Sequence, residues 1–327
     1  MKLNESPVES VSNMNILVIG GTGTLGTVLV PKLFSSFQTS RIRILSRDEH
    51  KQIKMDQSLQ DPRIDYMIGD VRDAERVWLA SRGCEMVFNL AAVKSVDKVE
   101  YDPDEAVKTN IIGSQNVVKA ALRNGIPKAI FTSTDKAVEP VNVYGTTKLA
   151  AERIFVTSNS YSGLLGPRFS AVRYGNVLGS NGSVIPKWTQ SVNKCEPLKI
   201  TDPTMTRFWI LIDKAADFVI QATKQMNRGE VFIPKMKSCS MIDLANAFDS
   251  TKEIQIIGKR PGEKMHEKLF GQDELDMVTQ TKDLFIRWPL DPKFPIEKYG
   301  EKVTQEHTSF NAERFTQEEL KAMLETL

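Results

Sequence analysis

Residues 15 to 26 read Asn-Ile-Leu-Val-Ile-Gly-Gly-Thr-Gly-Thr-Leu-Gly. The apolar run predicts a strand over Asn15 to Ile19, followed by a glycine turn and a helix over Leu25 to Phe37. The G-x-x-G-x-x-G spacing from Gly20 to Gly26 lets the backbone approach a pyrophosphate, and the helix N-terminus stabilises its charge. Tight turns also use glycine, so the pattern is weak alone; a strand before it and a helix after it make it a dinucleotide site. Gly20, Thr22, Gly23, Thr24, Leu25 and Gly26 are therefore candidate cofactor contacts.

The same alternation continues downstream. Strands are expected at Arg43 to Leu45, Ile64 to Ile68, Met86 to Leu90, Lys128 to Ser133 and Ser170 to Tyr174. Helical patterns lie at Ala74 to Ala80, Pro103 to Asn124 and Val143 to Ser158. Strands alternating with helices imply a parallel sheet covered on both faces. The expected fold class is α/β, a Rossmann-type doubly wound parallel sheet with a smaller mixed α/β C-terminal substrate lobe. A polar leader (1–13) would precede a dinucleotide-binding domain (14–175) and a mainly substrate-binding lobe (176–327), some of whose segments can return to the sheet. In that second part, turns at Gly179 to Gly182 and Pro261-Gly262 alternate with short helices at Lys214 to Lys224 and Ile242 to Phe248, and a terminal helix is expected at Gln317 to Glu325.

Composition narrows the function classes. With 43 Lys and Arg against 41 Asp and Glu, no basic stripe argues for nucleic acid. Three separated cysteines and three histidines fit neither a disulfide framework nor a metal site. No apolar run reaches membrane-spanning length and the first ten residues lack a signal core, so the expectation is a soluble cytoplasmic protein without a membrane partner.

The end of the second strand should choose the cofactor. Ser46-Arg47-Asp48-Glu49-His50-Lys51 places Ser46 and Arg47 first, with Lys51 as a second cation. That order favours the 2'-phosphate of NADP over NAD. Asp48 is read either as a ribose carboxylate or as an N-cap for the next helix. Asp70 and Val71 after the third strand suit adenine contact or a plain turn, and Ala91 and Ala92 after the fourth are small enough for a cofactor to pass.

Residues 132 to 149, T-S-T-D-K-A-V-E-P-V-N-V-Y-G-T-T-K-L, carry the chemistry. Tyr144 and Lys148 sit four apart at a helix start, on one face, where the Lys charge can lower the phenol's pKa. Tyr144 is thus a candidate acid/base, with Thr134 nearby. Asp135-Lys136 suggests a second proton-transfer step, or else a surface ion pair at a turn.

The glycine pattern, Ala91-Ala92, Asn110 in T-N-I-I-G-S-Q-N and Tyr144-x-x-x-Lys148 together resemble the extended short-chain dehydrogenase/reductases. Within them the chain resembles the inverting UDP-N-acetylglucosamine 4,6-dehydratases, through S-R-D-E-x-K (46–51), A-A-V-K (91–94), S-T-D-K (133–136), P-V-N-V-Y-G-T-T-K (140–148), R-Y-G-N-V-L-G-S-N-G-S-V-I-P (173–186), T-D-P-T-M-T-R-F-W (201–209) and R-P-G-E-K-M-H-E (260–267). Only nine residues separate Thr134 from Tyr144, shorter than in hexose epimerases, and Lys136 stands where glucose-nucleotide dehydratases carry Glu.

This resemblance implies a lyase that uses NADP to oxidise C4, eliminates water across C5–C6 and returns hydride to C6. Lys136, with its pKa depressed by burial and by Lys148, would take the C5 proton, and a protonated Asp135 would donate to the C6 oxygen; the split between them stays open. Arg207 and Arg260 are the implied pyrophosphate partners, with Glu263 orienting Arg260 or binding a ribose hydroxyl. Lys94, Asn176, Ser183, Val184 and Pro186 would line the nucleotide cleft, Lys94 also facing the cofactor. His266 and Glu267 are read as structural, and Trp188 and Trp209 as packing. The block A-A-V-K-S-V-D-K departs from the family form at Ser95 and Asp97, which leaves a 5,6-dehydratase open beside a UDP-hexosamine epimerase; a non-catalytic NADP-sensing regulator is a remote alternative. Relatives of this kind form homo-oligomers.

Overall fold

The computed structural model describes residues 14–327 apart from 164, 181 and 290–299. The expected leader lies outside the described residues, as does Asn181 of the expected 179–182 turn. The first half is the predicted alternation: β1 (Met14–Ile19), β2 (Thr39–Ser46), β3 (Ile64–Ile68), β4 (Met86–Asn89), β5 (Lys128–Thr132) and β6 (Arg168–Val172). They lie in the spatial order 6-5-4-1-2-3, all parallel. Ile16, Leu17 and Val18 are fully buried in β1, as a strand covered by helices on both faces must be. β1 pairs with β2 on one side and β4 on the other, so the strand order reverses there. A crevice for ligands opens outside the C-terminal ends of strands at such a reversal.

The second half extends this sheet. Val231–Pro234 adds a further parallel strand beside β6. Leu284–Arg287, Val278–Gln280 and Glu301–Lys302 continue it antiparallel, giving ten strands. A second apolar cluster, including Trp188, Leu198, Trp209, Met241 and Leu244, packs apart from the main core under the helices Val184–Asn193 and Met241–Phe248. Between the two halves, Arg173 is wholly buried and joins Glu152 at 2.6 Å to Glu274 at 2.7 Å, and Arg287 reaches Glu274 at 3.0 Å. Each buried charge is thereby paired, as the low dielectric requires. Among the described residues no helix is long and apolar enough to cross a membrane.

One expected helix differs in detail. Pro103 to Asn124 is a short helix, Pro103–Ala106, then a π-helical segment, Val107–Ile112, then the helix Gly113–Asn124. The wider turn presents the buried Asn110 side chain to its neighbours. Its amide donates to the Val93 carbonyl (3.1 Å) and to Thr147 Oγ1 (3.0 Å), and its Oδ1 accepts from the Val93 amide (2.9 Å). Local bulges of this type recur at functional sites; this one ties the loop after β4 to the helix that carries Tyr144.

Candidate active site

A cleft of about 780 Å³ opens at the C-terminal ends of the strands. At one end of it the glycine turn leaves β1. Gly20 has φ +77°, and a Cβ there would come within 2.9 Å of the Ala91 nitrogen. A Cβ at Gly26 would collide with the Gly21 carbonyl oxygen. The turn is therefore packed as closely as glycine permits. The helix Thr24–Ser36 that follows has no acidic residue in its first turn, and Gly23, Thr24, Leu25 and Gly26 face the cleft. These residues fit a dinucleotide pyrophosphate.

The segment after β2 is sorted by its hydrogen bonds. Asp48 caps the helix Glu49–Leu59, accepting from the Lys51 amide at 3.0 Å, which decides between its two readings. Ser46 is buried with its hydroxyl and carbonyl taken by Gln52 Nε2. Arg47 is exposed, 3.8 Å from Asp70, while Lys51 lines the cleft. Asp70 is held by Arg72 at 2.6 Å, and Val71 is buried beside Gly113. Ala92 and Lys94 line the cleft; Thr22, Ser46, Arg47, Asp70, Val71, Ala91 and Pro186 stand outside its lining.

At the centre, β5 ends at Thr132 and leads through Ser133 and Thr134 into a single helical turn, Asp135–Ala137, which carries the Asp135–Lys136 pair. The helix Val143–Thr157 begins with an Asn142 cap that accepts from the Gly145 amide at 2.7 Å, while Asn142 Nδ2 donates to the Gly262 carbonyl. Glu100 accepts the Val143 amide at 2.6 Å. The loop between turn and helix is pinned from outside by Lys264, which donates to the Val138 carbonyl, and by Lys268, which pairs with Glu139. Tyr144 is thus set by contacts from three parts of the chain.

Two electrostatic expectations are corrected. Lys148 is not among the main influences on the phenol, which is raised rather than lowered. Its ammonium donates to the Thr132 carbonyl at 2.6 Å and lies 3.9 Å over the Phe131 ring. Burial pushes its pKa down to about 7, with Glu152 opposing. The Tyr144 phenol is pushed up by its own burial, and the influences that offset this are the Lys136 charge and the Thr134 hydroxyl. Lys136 is likewise not depressed. Burial works against its charge, but Asp135 and then Glu267 outweigh it and hold the pKa above the ordinary lysine value.

The reason is local geometry. Lys136 Nζ lies 3.1 Å from Asp135 Oδ1, 3.0 Å from Asn176 Oδ1 and 3.5 Å from Glu267 Oε1. Thr134 Oγ1 donates to Asp135 Oδ1 at 3.0 Å. Asp135 is fully buried, and burial raises its pKa against the pull of Lys136. Glu267, read from sequence as structural, lines the cleft within reach of Lys136. Glu267 closes the 260–267 block, but its pairing with Lys136 could not be read from its neighbours, because that partner lies far away in the chain.

The other end of the cleft is lined by Asn176, Ser183, Val184, Arg207, Arg260 and Glu263. Arg207 is buried, with its guanidinium donating to the carbonyls of Thr206 (2.7 Å) and Met265 (3.2 Å). Among the described residues no carboxylate lies within ion-pair distance of it, so it is poised for an anion. Arg260 is instead half-engaged, 3.2 Å from Asp97 and 3.9 Å from Glu263, whose carboxylate also accepts the Arg260 amide. Ser183 Oγ is buried with no hydrogen-bond partner among the described residues. Lys187 and Lys199, outside every motif block, and Thr201, which opens the 201–209 block, also line this end. Trp188 and Trp209 are buried in the second core, and His266 Nδ1 meets Thr206 Oγ1 at 2.8 Å.

Comparison with known proteins agrees with this geometry. Residues 16–288 match the family described as polysaccharide biosynthesis protein. A UDP-N-acetylglucosamine 4,6-dehydratase (inverting) of Campylobacter jejuni serotype O:2 is 42% identical over 295 residues, 88% of this chain and 88% of that protein. A UDP-glucose 4-epimerase of Rickettsia rickettsii is 36% identical over 326 residues, 95% of each. The X-ray structure of Pen from Bacillus thuringiensis has a TM-score of 0.90 at 35% identity, covering 96% of this chain and 98% of that one. The chain belongs to the polysaccharide biosynthesis protein family and, among the extended short-chain dehydrogenase/reductases, stands with the inverting UDP-N-acetylglucosamine 4,6-dehydratases.

Proposed function

We propose that the protein is an NADP-dependent UDP-N-acetylglucosamine 4,6-dehydratase that inverts C5. The observation that carries this is the Asp135–Lys136 pair at the cleft floor, 3.1 Å apart and linked through Thr134 towards Tyr144. An epimerase needs one acid/base for the C4 hydroxyl; water elimination needs a second site of proton transfer, and this chain holds one.

Gly20 to Gly26 and the helix behind them would hold the pyrophosphate, with Arg47 and Lys51 taking the 2'-phosphate. Asp48 is occupied as a helix cap, which leaves the ribose without that carboxylate and favours NADP over NAD. A cofactor held there would supply the hydride acceptor for C4 and the hydride donor for C6. Tyr144 takes the C4 hydroxyl proton, and Lys148 completes the polar wall beneath it. The ketone so formed acidifies C5, and the Asp135–Lys136 pair serves the loss of the C5 proton and the protonation of the C6 oxygen. Arg207 binds the substrate pyrophosphate, Arg260 joins it once released from Asp97, and Asn176 and Ser183 hydrogen-bond the sugar nucleotide. Residues 14–175 would thus hold the cofactor and 176–327 mainly the substrate, with Val231–Pro234 and Leu284–Arg287 returning to the sheet.

Incubation with UDP-N-acetylglucosamine and NADP in deuterated water tests this. A 4-keto-6-deoxy product carrying deuterium at C5 with inverted configuration is expected. A 4-epimer formed without loss of water would overturn the reading in favour of an epimerase.

A further inference from the structure

Lys136 is bracketed by two carboxylates that come from distant parts of the chain. Asp135 shares its turn, whereas Glu267 arrives from the segment leading into the strand Lys268–Phe270. Glu267 is only 3% exposed and its backbone is clamped on both sides by the fully buried Ser309. Its amide donates to Ser309 Oγ (2.9 Å) and its carbonyl accepts from the Ser309 amide (2.7 Å). Ser309 Oγ is in turn fixed by Thr206 Oγ1 at 2.7 Å. Such a clamp places the carboxylate with little freedom to withdraw.

One ammonium balances one carboxylate in a dry site, and a second ionised carboxylate beside it is disfavoured. The remaining charged and titratable groups decide which carboxylate ionises. Glu267 faces Lys136, Arg207 and Lys264, whose Nζ is 4.0 Å from its second oxygen. Asp135 faces Lys136, Lys264, the Tyr144 phenol and Glu267 itself. Three cations thus surround Glu267, while Asp135 has two, Lys136 and Lys264, and the anion Glu267 nearby. Asp135 Oδ2 and Glu267 Oε2 are both buried without a hydrogen-bond partner among the described residues, and Glu267 Oε2 has the Lys264 ammonium at 4.0 Å.

We propose that Glu267 is a positioning residue for dehydration: as a fixed anion it holds Lys136 as an ammonium, so that Asp135 keeps the proton taken by the departing C6 oxygen. This rests on the dehydratase reading above. The exchange balances within one carboxyl group. The C6–O bond breaks with its electron pair on oxygen, which takes the Asp135 proton and leaves as water. The C5–H electron pair becomes the C5–C6 double bond, and the C5 proton passes to the other Asp135 oxygen. Lys136 stays charged throughout and stabilises the enolate that forms at the C4 ketone.

The test uses the full-length protein with NADP bound. At pH 7 the wild type is expected to show the infrared carbonyl stretch of a buried protonated carboxyl, absent in Asp135→Asn. Glu267→Gln should also lose it, because Asp135 then ionises as the remaining partner of Lys136, and Glu267→Asp should keep it. With UDP-N-acetylglucosamine, Glu267→Gln should slow water elimination by about thirtyfold or more. The alkaline limb of its pH–rate profile should move down by about one unit, while transient cofactor reduction stays within about threefold. A Glu267→Gln protein that keeps the infrared band, or whose profile falls without moving along the pH axis, overturns the proposal. So does a wild-type band that survives Asp135→Asn, a comparison that does not depend on the Glu267 variants folding. A wild type that shows the expected band pattern yet fails to dehydrate UDP-N-acetylglucosamine overturns the dehydratase reading alone and leaves the protonation assignment standing.

Discussion

The Lys148 ammonium donates a 2.6 Å hydrogen bond to the Thr132 carbonyl oxygen, locking the helix that carries Tyr144 onto the end of β5. Burial of that ammonium lowers its pKa to about 7 from the ordinary 10.5, and this has a consequence for stability. Below pH 7 the side chain is protonated in both the folded and unfolded chain. Between about pH 7 and 10.5 only the unfolded chain holds the proton, so the unfolded state binds more protons and stability rises with pH. Unfolding free energies of wild type and Lys148→Met, measured from pH 7 to pH 10, should therefore diverge in favour of wild type as pH rises. A constant difference across that window would refute the assignment.

Tyr144 is expected to carry the first proton transfer. Tyr144→Phe removes the hydroxyl and leaves the ring in its buried place, so folding should be unchanged by circular dichroism. Turnover should fall by about 10² to 10⁴, with no reduced cofactor accumulating after substrate is added.

Arg207 should govern substrate affinity. Its guanidinium is buried beside carbonyl groups without a paired carboxylate among the described residues. Arg207→Met should raise KM for the UDP-sugar about thirtyfold, the loss of one charged hydrogen-bond set, while the Kd for NADP measured by fluorescence titration stays unchanged.

Cofactor choice should follow Arg47. The side chain is exposed and only loosely held by Asp70, so a phosphate can claim it. Arg47→Ala should weaken NADP about tenfold and leave NAD within about twofold, read by calorimetry with each cofactor.

The charge network at Arg173 is a matter of stability. Arg173→Met strands Glu152 and Glu274 without their buried partner. A cost of about 3–5 kcal/mol is expected, seen as a drop of about 4–7 degrees in the thermal midpoint.

Much of this molecule is local in origin. The strand–glycine–helix start, the alternation through β6 and the placement of Tyr144 and Lys148 at a helix N-terminus follow from periodicity and from what glycine and caps permit. Those features depend on residues a few positions apart, and the expected strand Ile64 to Ile68 and helix Gln317 to Glu325 match to the residue. The π-helical turn around Asn110 was not legible, because it is chosen by contacts to Val93 and Thr147 rather than by propensity. The protonation of the site was not legible either. From sequence alone, Tyr144 and Lys148 four apart suggest a tuned phenol, and burial together with Lys148 is expected to depress Lys136. Only the tertiary structure turns Lys148 to the Thr132 carbonyl and brings Glu267 to Lys136, because burial and charges from distant segments set pKa values, and neither is written in local spacing.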